Sequence, residues 1–408
     1  MSAALSDIEL LSRLVAFDST SRRSNLPIAD FICHYLDSPD IEIERNPDQS
    51  GEKVNLVVRA GVPGGRGRQS AQSAAQENAS QPKDGRGRTA QGHCGGLILS
   101  GHMDVVPATE PEWESDPFEL VERDGHLYGR GSADMKGFLA LAVNQAREWA
   151  SQDLREPLVL LLTFDEELGL LGAQHFARTW RDEIPLPRNA VIGEPTELRV
   201  VRMHKGHLQV RVTLRGISAH SAYPHLGRSA IEPAAQAVLA LKELREEMRE
   251  ERHETSGYYP ETPFVALNAG MIRGGEAVNV IPDRCQIDIS VRNMPGQPAQ
   301  EVVERVRRKI EGLQLPDCRV EFINEAASLL SPADSAVHQK LCQLTGQEGT
   351  QAVSYASDAG VFQTMGIDCV LFGPGTIEVA HKPNERVPID HLQRARQTLQ
   401  ALIGEFCA

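Results

Sequence analysis

The feature that most constrains the fold is a change of hydrophobic period that occurs twice along the chain. Leu158–Thr163 reads LVLLLT, a nearly continuous apolar run of the kind a strand buried on both faces needs. Similar short runs occur at Asn55–Ala60 (NLVVRA), Leu97–Ser100 (LILS) and Ala190–Ile192. Between them lie segments of helical spacing, at Ser6–Val15, Ile28–Leu36 and Met135–Trp149. Strands alternating with helices predict an α/β domain. Then the pattern shifts. His207–Leu214 (HLQVRVTL) alternates residue by residue, as a half-exposed strand does. A helix is predicted over Ser229–Arg252, strands over Phe264–Ile272 and Arg284–Val291, a helix over Pro298–Leu313 and a strand over Arg319–Ile323. The order βαββαβ describes a small open-faced α+β sandwich. After Ser331 the first pattern returns, with a helix at Ser335–Leu344, a strand at Val370–Phe372 and a helix at Asp390–Phe406. The expectation is therefore an α/β domain made of residues 1–200 and 325–408, interrupted by an α+β domain of residues 201–324. A chain of 408 residues is long enough for two such cores.

One stretch fits neither pattern. Gly61–Gly95 is rich in Gly, Ser, Gln, Ala and Arg and has almost no large apolar residue. Such composition cannot offset the entropy of ordering, which predicts a disordered insertion between two strands. Its two GRGR sequences, Gly65–Arg68 and Gly85–Arg88, read as solvated charge. A formal net charge of -14 argues against nucleic acid as a partner, because phosphate binding needs clustered cations. The seven cysteines form no CxxC pair, so neither a disulfide framework nor a cysteine zinc site is expected, and a reducing cytoplasm fits best. The first residues read as an amphipathic helix rather than a signal peptide. No apolar run is long enough to span a bilayer.

Five short segments carry the acids and imidazoles that chemistry would use. They are SGHMD at Ser100–Asp104, GSADMKG at Gly131–Gly137, DEELG at Asp165–Gly169, GEPT at Gly193–Thr196 and AHKP at Ala380–Pro383. Each lies at the end of a predicted strand or in a turn. In open α/β sheets ligands gather beyond the carboxyl ends of the strands. Imidazoles and carboxylates converging there are ligands of the type zinc accepts. Each segment alone has a plainer reading. His102 and His381 can be structural, Glu166 and Glu167 a solvated charge pair, Glu194 a turn residue and Asp134 a helix N-cap.

Taken together and in order, GHMDVVP, GRGSADMKG, DEELG and GEPT resemble the M20 family of metallopeptidases and deacylases. Within it, IGEPTELRVVRMHKGH at Ile192–His207 and FGPGTIEVAHKP at Phe372–Pro383 resemble the branch acting on N2-acetylornithine. The resemblance covers nearly the whole chain outside the insertion. It implies a two-metal hydrolase domain with an inserted lid and dimerisation domain. It further implies two divalent ions, zinc or cobalt, with Asp134 bridging them, His102 and Glu194 completing one site and Glu167 and His381 the other. A single carboxylate between two cations screens their repulsion and leaves room for one shared water. Glu166 would be the general base, and Asp104 would orient the His102 imidazole through its second nitrogen. His220 matches a histidine that stabilises the tetrahedral oxyanion, with a capping or loop role as its alternative. Arg292 matches an arginine suited to a substrate carboxylate and Asn279 could hold the same group, with structural hydrogen bonding as the alternative for each. Gly373, Gly375 and Ser357-Asp358 would shape the pocket.

The implied reaction is hydrolysis of N2-acetyl-L-ornithine to L-ornithine and acetate by a cytoplasmic homodimer, with neither nucleic acid nor membrane as partner. The alternative within the family is a succinyl-diaminopimelate desuccinylase, an aminoacylase or a carboxypeptidase. A binding protein on the same fold would have lost Glu166 or several ligands, and none of the matched positions is lost.

Overall fold

The LVLLLT run is strand Leu158–Thr163, and every residue of it is buried. The computed structural model describes residues 4–61, 93–181, 185–348 and 351–408. Most of the expected insertion, with both GRGR sequences, lies outside the described residues. Strand Cys94–His102 begins inside the stretch expected to be disordered, with Cys94 paired to Pro187 and Gly95 in the irregularity that follows.

The chain forms two units. The first comprises residues 1–202, 331–351 and 357–408. Its sheet runs in the order Ile41–Pro47, Val54–Ala60, Leu158–Thr163, Cys94–His102, Pro187–Ile192 and Asp368–Leu371. The last four strands are mutually parallel, and the first two form an antiparallel flap on one edge. Helix Gly137–Trp149 packs on strands Cys94–His102 and Leu158–Thr163, burying Phe138, Leu139, Leu141 and Val143 completely. Each such side chain contributes roughly 1.5–3 kcal/mol of burial free energy. Helix Asp7–Val15 starts where its sequence says it should. Ser6 accepts from the Glu9 N–H at 3.3 Å and Glu9 Oε2 accepts from the Ser6 N–H at 2.8 Å, a reciprocal capping box.

The consequence for function is geometric. Parallel strands present their carboxyl ends on one side, so the segments after His102, Thr163, Ile192 and Leu371 emerge together. Four of the chemistry-bearing stretches sit there or beside it.

The second unit comprises residues 203–330 and 352–356. Its antiparallel sheet has the order Ala266–Gly274, Arg284–Arg292, His207–Arg215 and Cys318–Ala326. Helices Ile231–Glu250 and Ala299–Glu311 pack against these strands and each other. Strand Arg284–Arg292 shows the cause in its alternation: Cys285, Ile287, Ile289 and Val291 are buried and their neighbours are not. The α/β class with an α+β sandwich, expected from the change of period, is what the structure contains.

The helix expected from Met135 begins instead at Gly137. Asp134 and Met135 have non-helical backbones, at φ -123°, ψ 92° and φ -135°, ψ 34°. The Asp134 amide is committed elsewhere, as described below. Among the described residues no helix is long and apolar enough to cross a membrane.

Candidate metal centre

Asp134 is the hub of the site. Its Oδ1 lies 3.0 Å from His102 Nε2 and its Oδ2 lies 3.4 Å from His381 Nε2. Each oxygen therefore faces a different imidazole. His381 Nε2 also lies 2.7 Å from Glu167 Oε1. Ligand atoms of His102, Asp134 and Glu167 all fall within 4.8 Å of one another. Glu194, buried just after strand Pro187–Ile192, is in the electrostatic field of Asp134, His102 and Glu167.

The local sequence explains how each group arrives. His102 ends its strand, and its Nδ1 lies 2.9 Å from the backbone carbonyl of Asp104. The Asp104 carboxylate is farther away, at 3.6 Å. It has other work: it accepts from Ser21 Oγ at 2.7 Å, from the Glu166 N–H at 3.1 Å and from the Glu167 N–H at 3.4 Å. Asp104 thus fixes the imidazole with its main chain and the two glutamates with its side chain. Behind the glutamates, Asp165 takes a left-handed backbone at φ 45°. It is held there by a buried ion pair to Lys53 Nζ at 2.6 Å and by the Arg22 N–H at 3.1 Å.

Glu194 depends on a close backbone approach. A Cβ at Gly373 would lie 2.4 Å from the carbonyl oxygen of Gly193 and 2.6 Å from that of Glu194. Only glycine lets the 372–375 loop pass so near. Ser357 caps helix Asp358–Thr364. Asp358 is buried beside the site, and its Oδ2 accepts from Thr163 Oγ1 at 2.6 Å while Oδ1 has no hydrogen-bond partner.

The electrostatics show a cluster short of positive charge. Burial pushes the carboxyls of Glu166, Glu167 and Glu194 upward, and the neighbouring acids add to it. Burial likewise raises Asp358 to about 6. Burial opposes charge on His102, yet the hydrogen bond and charge of Asp134 lift it well above the usual imidazole range. Hydrogen bonds that His381 donates to Asp134 and Glu167 hold it up at about 10. Acids that must recruit protons onto two imidazoles, with an orphaned carboxylate oxygen alongside, suit a cation in place of those protons. The donor set is nitrogen and oxygen throughout, which fits zinc and its first-row neighbours.

His220, Asn279 and Arg292 belong to the second unit. His220 pairs with Val280 in the ribbon formed by Ala219–His220 and Val280–Ile281, and the Ser221 N–H donates to the Asn279 carbonyl at 2.9 Å. His220 and Asn279 are therefore neighbours and exposed. His220 Nδ1 accepts from the Ala222 N–H at 3.0 Å, which leaves the ring proton on Nε2 as a donor. Arg292 ends strand Arg284–Arg292, opposite Ala266.

Sequence reasoning missed the groups that hold the ligands. These are Ser21, Lys53, Arg130 and Glu385. The signal for two of them was present: Arg130 lies in GRGSADMKG and Glu385 is four residues past His381.

Comparison with known proteins identifies the family. Peptidase family M20/M25/M40 matches residues 98–405. A protein of Myxococcus xanthus described as acetylornithine deacetylase is 36% identical over 409 residues, covering 97% of this chain and 96% of its own. The aminopeptidase PepT of Bacillus cereus has a similar fold, with a TM-score of 0.70, 19% identity and coverage of 98% of this chain and 97% of its own. So does the YXEP protein of Bacillus subtilis, described as a dinuclear metal binding peptidase from the M20 family, with a TM-score of 0.62, 15% identity and coverage of 97% of both chains. By its sequence and by the fold that sequence adopts, this chain belongs to peptidase family M20/M25/M40.

Proposed function

We propose that the protein is a two-metal amide hydrolase that converts N2-acetyl-L-ornithine and water to L-ornithine and acetate, a step of arginine synthesis. The observation that carries the reaction class is Asp134, whose two oxygens face two different imidazoles. The substrate rests on the 36% identical relative described as acetylornithine deacetylase. In this reading His102 and Glu194 hold one zinc or cobalt ion, Glu167 and His381 hold the other, and Asp134 is shared. Bound there, such ions supply a water of lowered pKa and polarise the amide carbonyl.

The chain's own residues then have defined tasks. Glu166 accepts the proton of the attacking water and delivers it to the amine as the C–N bond breaks. Burial raises its carboxyl, which suits a group that must carry a proton between two partners. Asp104 keeps Glu166 aimed by accepting its backbone N–H. His220 donates Nε2–H to the developing oxyanion, and Arg292 and Asn279 take the substrate carboxylate, for which a guanidinium fork is well shaped. Replacing His220 by alanine should lower kcat by ~10²–10³-fold, the usual effect of losing an oxyanion donor. An unchanged kcat would return His220 to a purely structural place in its ribbon.

We further propose a cytoplasmic homodimer formed through the second unit. Strand Ala266–Gly274 is a sheet edge and largely exposed, with Met271 and Ile272 bare. Ile231 and Leu239 are exposed on the helix that packs beside it. An unpaired strand edge flanked by apolar side chains is a template for a second copy. Light scattering should give twice the mass of one chain, and a fully active monomer would refute the dimer. The seven unpaired thiols suit a reducing compartment.

The direct test is amine release from N2-acetylornithine, N-succinyl-diaminopimelate, N-acetylmethionine and a dipeptide, with and without chelator. Preference for acetylornithine, lost on chelation and restored by zinc or cobalt, is the expected result. Chelator-sensitive activity on another of the four would keep the mechanism and replace the substrate. Activity that persists without metal would overturn the mechanism.

A further inference from the structure

We infer that the buried ion pair Arg130–Glu385 sets the geometry of the metal ligands, and that Glu385 is the positioning residue for Asp134. This rests on the two-metal reading above.

Glu385 and Arg130 are almost wholly buried. Glu385 Oε1 accepts from the N–H groups of Ala133 and Asp134, each at 3.0 Å. Its Oε2 accepts from the Gly131 N–H at 3.0 Å and from Arg130 Nη1 at 2.9 Å. Its backbone carbonyl accepts from the Gly129 N–H at 3.0 Å. One residue thus gathers four amides from the turn that delivers Asp134. The backbone leaves the helical region at Asp134 and Met135, and the amides of Gly131, Ala133 and Asp134 donate to Glu385 rather than to a helical carbonyl. Arg130 extends the grip. Nη1 donates to the Lys382 carbonyl at 3.3 Å, beside His381, and Nη2 donates to the Pro107 carbonyl at 3.1 Å, downstream of His102. Its guanidinium lies 5.1 Å from the Trp113 ring centroid. The pair therefore joins the three loops that carry His102, Asp134 and His381.

A pair kept only for stability would be a poor choice here. Burying two charges is costly even when they meet. Arg130 Nε is buried with no hydrogen-bond partner, which adds a desolvation cost. What the arrangement provides is a fixed direction for the Asp134 carboxylate before any ion arrives. Groups that orient ligands in this way commonly govern metal affinity.

The test is zinc titration by calorimetry on chelator-stripped wild type, Glu385→Gln and Arg130→Lys, with thermal unfolding of each stripped protein alongside. Glutamine keeps the shape but cannot accept at both ends. Lysine keeps the charge but loses the fork. Glu385→Gln should bind zinc ~10–100-fold more weakly than wild type, with kcat falling more than KM changes. Arg130→Lys should show a smaller loss in the same direction. Zinc affinity unchanged in folded Glu385→Gln, whatever its unfolding temperature, would reduce the pair to a loop staple and overturn the inference alone. Should Glu385→Gln not fold, unchanged affinity in Arg130→Lys overturns it. A wild type that binds no zinc would remove the metal reading, and this inference with it.

Discussion

Glu166→Gln should lower kcat by ~10²–10⁴-fold, the range that a positioned general base contributes, while the protein keeps its metal. Glutamine has the size of glutamate and cannot take a proton. The hydrogen bond that aims this position comes from the backbone N–H to Asp104, so the substitution leaves it in place. The neighbouring Glu167, proposed as a ligand, lies 2.7 Å from His381 and is untouched. The proposed roles of the two adjacent carboxylates are thereby separable. Measuring kcat together with bound metal by elemental analysis checks the assignment. A variant with full metal and near-normal kcat would show that Glu166 is not the base. Loss of metal along with rate would place it among the ligands instead.

Asp134→Asn should have a comparable effect for a different cause. Each Asp134 oxygen faces one imidazole, so in the proposed site each ion would lose a charged oxygen. A bridging carboxylate reduced to a neutral amide should release at least one ion. The electrostatic help of a metal is worth several kcal/mol, and each ~1.4 kcal/mol is tenfold in rate, so activity should fall by ~10²-fold or more. Metal content and kcat/KM report the two halves of the prediction. Two ions retained with activity within tenfold of wild type would take Asp134 out of its bridging place.

Much of this was legible in the sequence, for identifiable reasons. Leu158–Thr163 is buried on both faces, and its composition says so. The strands and helices of the second unit follow from alternation against helical spacing, because each element has one wet face. The segments around His102, Glu166 and Glu194 could be placed because they follow strands that are parallel. Strand Ile41–Pro47, with the sequence IEIERNP and mostly exposed side chains, offers only the short alternation of Ile41 and Ile43 with Glu42 and Glu44. The groups behind the ligands were harder still. Ser21 meets Asp104, Lys53 meets Asp165 and Arg130 meets Glu385 across separations of 83, 112 and 255 residues. In a single sequence each looks like an ordinary polar surface residue. The role of Asp104 shifted for the same cause. Its carboxylate is claimed by Ser21 and two backbone amides, and its carbonyl is left to hold the imidazole.

In the proposed site Asp134 lies between two metal ions. The measurement that addresses it most directly is anomalous diffraction at the zinc edge from crystals grown with zinc. Two peaks, one on each side of the Asp134 carboxylate, with His102 and Glu194 at one and Glu167 and His381 at the other, are the predicted result. A single peak, or peaks away from Asp134, would contradict it.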